Sequence, residues 1–267
     1  MGAFTDNVVI LTGASEGIGR ALALALAPQR PRLVLAARNM ERLEALAGEC
    51  RALGAEVIPV ETDVTDAAQC RRLADKTLET FGRIDTLVAN AGVTMWTRLD
   101  ELEDWSVPEK VMAVNYLGAV YCTMAALPYL KESRGRIVAV ASIAGLTGVP
   151  ERTGYSASKH AMIGFFDSLR IELEGTGVSV TVIAPDFVVS QIHRRALGPD
   201  GHLLGETPMQ ESRIMTAERC AELIVDAMEK RQRLLITSLR GKLGRWVRLI
   251  APGLIDRIAK KAIQQRH

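Results

Sequence analysis

Short runs of β-branched and aliphatic residues alternate with longer helical patterns along the first 240 residues. Strands are predicted at 7–12, 32–37, 55–60, 84–89, 135–141, 178–183 and 233–238, and the gaps between them have apolar residues at helical spacing. Strands that alternate with helices in this way form a parallel sheet covered on both faces. The pattern therefore predicts an α/β fold with a doubly wound, seven-stranded parallel sheet.

The domain organisation follows from the same pattern. No linker, repeat or low-complexity tract interrupts it, so we expect one domain over residues 1–240. Residues 186–215 have no clear periodicity, and a structureless stretch of that length within a compact domain is typical of a functional lid. Residues 241–267 continue beyond the last predicted strand as a C-terminal extension.

The charge is distributed unevenly along the chain. The net charge is +2, but residues 231–267 contain ten lysines and arginines and one acidic residue. This stretch carries +9 and the remainder −7. A basic end on an acidic body suggests an anionic surface or partner, while a solvated helix face is the alternative.

Cysteine and histidine usage bears on compartment and metals. The four cysteines are far apart without a CxxC pair, and the N-terminus enters a strand-like run without a charged leader. We therefore expect a cytoplasmic protein. The four histidines have no ligand spacing among themselves, so no metal site is predicted.

Residues 111–130 form a run of twenty residues without a charge, which is long enough to cross a bilayer. The run also carries Asn115, Tyr116, Thr123 and Pro128. A helix that is apolar all round is equally typical of one buried between other elements or subunits. We favour the buried helix.

A glycine-rich segment, TGASEGIGR at 12–20, lies where the first strand meets the first helix. Gly13, Gly17 and Gly19 allow a tight turn and a close approach of the backbone to a ligand. The helix N-terminus beyond them, with Ser15 and Ile18 in the same segment, offers N–H groups to a pyrophosphate. The segment predicts a Rossmann-like dinucleotide site, although a simple turn would use the same glycines.

The end of the second strand indicates which dinucleotide is bound. An acidic residue there would bind the ribose 2′-hydroxyl of NAD, and a cation accommodates the 2′-phosphate of NADP. The strand ends in Ala36, Ala37 and Arg38. Arg38 predicts NADP(H), with Ser15 and Arg20 assisting, unless Arg38 is only a surface residue.

Tyr155 and Lys159, within YSASK, are four residues apart and share one face of a helix. A free phenol has a pKa of about 10 and is a poor proton donor or acceptor near neutrality. An adjacent ammonium stabilises the phenolate and lowers that pKa. The pair therefore predicts a tyrosine general acid and base, tuned by the lysine.

With TGASEGIG, VANAG and YSASK in that order, the chain resembles the short-chain dehydrogenase/reductase family from residue 7 to about residue 240. The resemblance implies an oxidoreductase whose catalytic residues are Asn115, Ser142, Tyr155 and Lys159. It implies cofactor contacts from Gly13, Ser15, Gly17, Ile18, Gly19, Arg38, Asp63, Val64, Asn90, Gly92, Tyr155, Lys159, Pro185, Val188 and Ser190. It also implies a homodimer or homotetramer built on helices at 100–130 and 153–175.

One position departs from the family pattern. Where the family commonly has Pro-Gly and then Thr, this chain has Pro185-Asp186 and then Ser190. The Ser190 hydroxyl can replace that of the threonine, and the backbone of Val188 is expected to meet the nicotinamide carboxamide. Asp186 brings a carboxylate close to the substrate, or it is a turn residue that tolerates the conformation of glycine.

The residues expected on the substrate side are mostly apolar, which favours a hydrophobic ketone or secondary alcohol; they are Thr94, Met95, Trp96, Ile143, Leu146, Val149 and parts of 186–215. The alternatives are a 3-oxoacyl thioester reductase, which would dock an acidic carrier, and a non-catalytic NADP(H) sensor.

In the C-terminal extension, apolar residues recur at helical spacing beside basic ones, and it resembles the tails of membrane-associated family members. Such a helix could lie on an anionic membrane, cover the pocket mouth or pack on a neighbouring subunit.

Overall fold

The computed structural model describes residues 2–207 and 214–264, with side chains through residue 260. Its sheet has seven parallel strands in the order β3-β2-β1-β4-β5-β6-β7, which confirms the fold predicted from the sequence. The strands are β1 (Val8–Thr12), β2 (Arg32–Ala37), β3 (Glu56–Glu61), β4 (Thr86–Ala89), β5 (Arg136–Val140), β6 (Ser179–Ala184) and β7 (Leu234–Ile236).

Helices cover both faces of this sheet. They are α1 (Gly17–Leu26), α2 (Met40–Ala52), α3 (Ala67–Phe81), α4 (Val107–Met112), α5 (Gly118–Ser133), α6 (Thr153–Glu172), α7 (Ala217–Glu229), α8 (Leu239–Ile250) and α9 (Pro252–Gln264). Successive strand residues point to opposite faces. Val9 and Leu11 of β1 thus pack in a core with α1, α2 and α7, whereas Val8 and Ile10 pack with α3, α5 and α6.

The order of the strands determines where a ligand can bind. β1 lies between β2 and β4, so the chain reverses its direction of travel across the sheet beside β1. At such a switch point the connections leave in opposite directions and open a crevice at the carboxyl ends of the strands. The glycine segment follows β1 and therefore lies at this crevice.

The long apolar stretch predicted from the sequence is a continuous helical segment. By length and composition Val107–Ser133 could cross a membrane, a test that the core helix of a soluble protein also meets. Its inward face is packed in the core that contains α3 and α6, with Cys122, Ala126 and Leu130 buried. One face of the segment is thus buried in the core, while Met124 on α5 is 66% exposed.

The described residues of the region predicted as a lid, 186–207 and 214–215, have little regular structure. Residues 208–213 lie outside the described part of the chain. Isolated bridges join Val188 to Met215 and Leu197 to both Met95 and Leu203. The C-terminal extension is described through residue 264 as most of α8 together with α9, and its last three residues also lie outside the described part.

Candidate active site

A cleft of about 1110 Å³ opens at the carboxyl ends of the central strands. Ligand pockets usually measure about 300–1,000 Å³, so the cleft has room for a large ligand. Its walls come from the turns that follow β1, β2, β4, β5 and β6, and Ile255, Ile258 and Ala259 of α9 close one side. The described residues contain no cluster of three or more His, Cys, Asp or Glu that could hold a metal ion.

The glycine turn fits a pyrophosphate. Gly13 and Gly17 have φ values of 64° and 54°, where a side chain would be strained. A Cβ on Gly19 would lie 2.2 Å from the carbonyl oxygen of Gly13. Asn90 Nδ2 donates to the carbonyl oxygens of Thr12 and Gly13 at 3.0 and 3.1 Å and thus fixes the turn. The glycines thus leave space for a pyrophosphate beside the N-terminus of α1, space that larger residues would fill.

The residues predicted on the adenosine side, with one exception, lie in the same cleft. Its lining includes Gly13, Ser15, Gly17, Ile18, Gly19, Arg38, Asp63, Val64, Asn90 and Gly92. Arg38 is exposed directly after β2. The prediction for Arg20 is wrong: its guanidinium pairs with Glu49 of α2 at 2.7 Å and does not line the cleft.

Two arginines at this end of the cleft were missed by the sequence analysis. Arg42 and Arg195 line it, and both donate to the carboxylate of Glu16, at 3.0 and 2.8 Å. Arg42 could have been found, because it follows Arg38 by four residues at the start of α2. Arg195 comes from the predicted lid, 179 residues from Glu16 in the chain, and nothing local in the sequence indicates this contact.

Tyr155, Ser142 and Lys159 converge on the floor of the cleft. Ser142 follows β5, and Tyr155 and Lys159 lie on the first turns of α6. The phenol is buried, with 8% of the residue exposed, and both Tyr155 and Ser142 line the cleft. The ammonium of Lys159 is 5.8 Å from the centre of the phenol ring and donates to the carbonyl oxygen of Val140 at 2.9 Å.

The electrostatics of this group differ from the sequence expectation. Burial raises the pKa of Tyr155, and this effect is opposed first by the polar Ser142 side chain and then by the charge of Arg152. Burial also lowers the pKa of Lys159 to about 7. Burial is the largest effect on the pKa of the phenol, and Arg152 is a further cation that opposes it; the effect of Lys159 on this pKa stays a prediction.

Asn115 lies in a π-helical turn, Ala113–Leu117, between α4 and α5. It is fully buried; its Oδ1 accepts from the N–H of Val93 at 2.8 Å, and its Nδ2 donates to Ser158 Oγ at 2.9 Å. π-turns are rare and frequent at functional sites. The turn widens the helix where it passes the loop after β4, so that the amide reaches the backbone beside Gly92.

The residues expected on the substrate side divide into two groups. Trp96, Ile143 and Val149 line the cleft, whereas Thr94, Met95 and Leu146 do not. Met95 is fully buried in a small core with Val107, Val111 and Ala144. Thr94 is likewise buried, and the carbonyl of Leu146 accepts from Arg248 of α8. The loop after β4 therefore buries the consecutive residues Thr94 and Met95 and directs Trp96 into the cleft.

Polar and aromatic side chains that the sequence analysis did not single out complete the substrate side. Arg152, Phe187, His193 and Arg240 all line the cleft. The mostly apolar lining expected from the sequence did not include these polar and cationic groups. Arg152 is the one that proximity could have revealed, since it lies three residues before Tyr155.

Asp186 has a defined partner in the structure. Its carboxylate accepts from Arg240 Nε and Nη2, each at 2.6 Å, and from Ser238 Oγ at 2.6 Å. The pairing holds the pKa of Asp186 below its usual value, against the opposing effect of burial. Pro185, Val188 and Ser190, the other residues of this turn predicted to contact the cofactor, line the cleft. Asp186 thus joins this loop to the beginning of α8.

Comparison with known proteins identifies the family. A sequence model of the short chain dehydrogenase family matches residues 7–198. The chain belongs to the short-chain dehydrogenase family. This confirms the family predicted from the sequence and places the chain among oxidoreductases that use a nicotinamide cofactor.

Curated relatives of this short-chain dehydrogenase include 11-beta-hydroxysteroid dehydrogenase 1A of Arabidopsis thaliana, 37% identical over 95% of this chain and 75% of the relative. Dehydrogenase/reductase SDR family member 7B of Mus musculus is 36% identical over 98% of this chain and 83% of the relative.

Two solved structures have the same fold. A short-chain dehydrogenase from Burkholderia phymatum in complex with NAD aligns with a TM-score of 0.82 and 30% identity, covering 95% of this chain and 96% of that one. An alcohol dehydrogenase from Thermococcus sibiricus complexed with 5-hydroxy-NADP aligns with a TM-score of 0.76 and 29% identity, covering 87% and 95%. Both nicotinamide dinucleotides thus occur among the similar structures.

Proposed function

We propose that this chain is an NADP(H)-dependent oxidoreductase that transfers a hydride between nicotinamide and a hydrophobic ketone or secondary alcohol. Tyr155 is the general acid and base. The observation that carries the proposal is the buried phenol of Tyr155, which lines the same cleft as Ser142 and Lys159, beside a glycine turn that fits a pyrophosphate. A bound nicotinamide supplies or accepts the hydride.

The side chains account for the proton and the charge. Hydride addition to a carbonyl leaves an alkoxide, which takes the proton of the Tyr155 phenol. Ser142 donates to the same substrate oxygen as negative charge develops there. Lys159 lies 5.8 Å from the centre of the phenol ring and returns a proton towards the phenol, and Asn115 positions a water that resupplies the lysine from bulk solvent. Alcohol oxidation uses the same groups in reverse.

NADP(H) is proposed from the charges at the end of β2. The position that would carry an acidic residue in an NAD site is occupied by exposed Arg38, and Arg42 also lines the cleft. A guanidinium fork matches a phosphate in geometry and charge. Glu16 is the one carboxylate of the glycine segment, and it is already paired with Arg42 and Arg195.

A lipophilic substrate is proposed from the walls of the cleft. Ile143, Val149, Leu197, Leu203 and Ile258 line it with apolar surface. The names of the Arabidopsis relatives refer to hydroxysteroids, which are substrates of that class. The C-terminal extension contributes to the same wall, so we propose that it covers the substrate side of the cleft.

We propose in addition that the outer side of the C-terminal extension contacts an anionic membrane. Trp246, Leu249 and Ile250 of α8 are 62%, 70% and 83% exposed, and basic residues such as Arg245 lie among them. Apolar and cationic side chains on one exposed helix are typical of an interfacial helix. A homodimer or homotetramer is proposed from exposed Met124 on α5 and Ile171 on α6.

The test is NADPH and NADH oxidation with a panel of apolar ketones, 3-oxoacyl thioesters and polar ketones. The proposal expects turnover with NADPH and apolar ketones. It also expects Tyr155→Phe to abolish turnover while NADPH binding stays nearly unchanged, because the variant loses only the hydroxyl. Preferential turnover of thioesters would favour the 3-oxoacyl reductase, and NADPH binding without any turnover would favour a sensor.

A further inference from the structure

Arg152 occupies an aromatic cage beside the phenol. It immediately precedes α6, and only 5% of the residue is exposed. Its guanidinium carbon lies 3.8 Å from the centre of the Trp96 ring, 5.3 Å from that of Phe187 and 5.9 Å from that of Tyr155. Its Nη2 is 3.2 Å from Nδ1 of His193, which must accept, because a guanidinium has no acceptor.

We propose that Arg152 is a positioning residue of the proposed reaction, whose permanent positive charge stabilises the phenolate form of Tyr155. The inference rests on the proposed role of Tyr155 as general acid and base. It adds a second cation to a site in which the sequence pattern pointed to Lys159 alone.

The geometry makes the interaction effective. A unit charge about 6 Å away shifts an ionisation substantially when the intervening medium is protein rather than water. Arg152 is held on three sides by aromatic rings and His193, so its position relative to the phenol is fixed by packing. Consistent with this, its charge lowers the pKa of Tyr155 against the larger effect of burial.

The chemistry of the two cations differs. In the cofactor-free protein, burial lowers the pKa of Lys159 to about 7, so this amine loses its charge above neutrality there. Guanidinium does not deprotonate in proteins. In the alkaline range where the phenol must ionise to accept a proton from an alcohol, Arg152 therefore stays cationic.

In the part of the chain that the structure describes, further charged or titratable groups near Tyr155 come from several neighbouring elements. Lys159 lies on α6 and His193 on the loop after β6. The Glu151 carboxylate accepts from Trp96 Nε1 at 2.8 Å, the indole ring over which the Arg152 guanidinium lies. Asp186 is neutralised by Arg240, and Lys110 of α4 by Asp104, so neither pair contributes a net charge to the site.

The experiment compares Arg152→Gln, Arg152→Met and Arg152→Lys with the wild-type protein. Methionine keeps an aliphatic stem in the aromatic cage without charge, and lysine keeps the charge. The readout is the alkaline absorbance titration of tyrosinate in the NADP⁺-saturated protein, with Tyr155→Phe in the same background subtracted. There are four tyrosines, so one phenol is a large part of the signal.

The inference expects the phenol of Tyr155 to titrate about one pH unit higher or more in the Gln and Met variants, and close to wild type in the Lys variant. The pH at which kcat/KM for alcohol oxidation rises to its plateau should increase by the same amount. Arg170→Gln is the matched control, because it removes one positive charge from α6 at a position about 22 Å from Tyr155 along the helix axis. We expect no shift there.

An unmoved titration in folded Arg152→Gln or Arg152→Met would overturn the inference, even if kcat fell, because a purely structural role changes activity without moving the ionisation. The inference is also overturned if the tyrosinate titration of the Lys variant shifts as far as those of the Gln and Met variants. If the wild-type protein turns over no ketone or alcohol, the proposed function fails, while the titration still decides the role of Arg152.

Discussion

The ion pair between Asp186 and Arg240 provides the sharpest quantitative test of how the C-terminal extension is attached. The Asp186 side chain is 8% exposed and accepts two hydrogen bonds from Arg240, each at 2.6 Å. It also accepts from Ser238 Oγ and from the N–H of Phe187 at 2.8 Å. The perturbation is a double-mutant cycle with Asp186→Asn and Arg240→Gln.

The magnitude follows from the environment of each partner. A hydrogen bond to a charged group contributes about 1.5–3 kcal/mol, and breaking a fully buried pair costs about 3–5 kcal/mol. The Arg240 side chain is 67% exposed, so solvent screens its charge. We therefore expect a coupling free energy of about 1–2 kcal/mol at neutral pH, below the fully buried value.

The pH dependence has a defined sign. Because the pKa of Asp186 is lowered in the folded protein, its contribution to stability is present above the unfolded pKa of about 3.9. It is lost as the pH falls through the lower, folded value. Coupling between the two sites should therefore persist from neutral pH down to about pH 4 and disappear at lower pH.

Urea denaturation of the four proteins of the cycle measures this coupling. The exposed pair Arg98 and Asp100, whose side chains are 59% and 66% exposed, is the matched control and should couple by at most about 0.5 kcal/mol. A coupling for Asp186 and Arg240 no larger than that of the control would refute the reasoning. It would mean that the short contacts do not stabilise the junction between the loop after β6 and α8.

Three further predictions concern the cofactor, the lysine and the extension. Arg38→Ala should raise the KM for NADPH about tenfold and leave the KM for NADH unchanged, because a charge-assisted phosphate contact contributes at least about 1.4 kcal/mol. Equal changes in the two KM values would contradict a contact between Arg38 and the 2′-phosphate. Because the pKa of Lys159 falls to about 7, the unfolded chain binds more protons above that pH. The free energy of unfolding of the cofactor-free protein should therefore rise by about 1 kcal/mol per pH unit between about pH 7 and 8.5, a range below the thiol titrations. Lys159→Met should remove this slope. A slope that survives in Lys159→Met would contradict the assignment of the lowered pKa to Lys159. Deleting residues 241–267 should end sedimentation with anionic liposomes but not affinity for NADPH, and unchanged sedimentation would leave packing over the cleft as the role of the extension.

Local patterns in the sequence were sufficient for the sheet. Each predicted strand overlaps an observed one, because a strand buried on both faces is a continuous apolar run and the glycine segment marks the end of β1. The position of Arg38 could be predicted for the same reason, since it directly follows a strand. Arg20 could not, because its direction depends on Glu49 of α2, a residue 29 positions away.

The substrate side was harder to predict. Trp96 lines the cleft while its neighbour Met95 is buried in the core, and only the packing of the loop after β4 separates them. Arg152, His193 and Arg240 are far apart in the chain and meet around Phe187 through tertiary contacts. The sequence pattern also gave no indication of the π-helical turn at Asn115.

The sequence by itself determined the parallel sheet, the glycine cradle and the helix face that carries Tyr155 and Lys159, because each depends on residues within about one helical turn or one strand of each other. The tertiary structure alone decided the electrostatics of the phenol and the partner of Asp186. Ionisation depends on burial and on charges several ångströms away in space, and these come from segments that the fold, not the chain order, brings together.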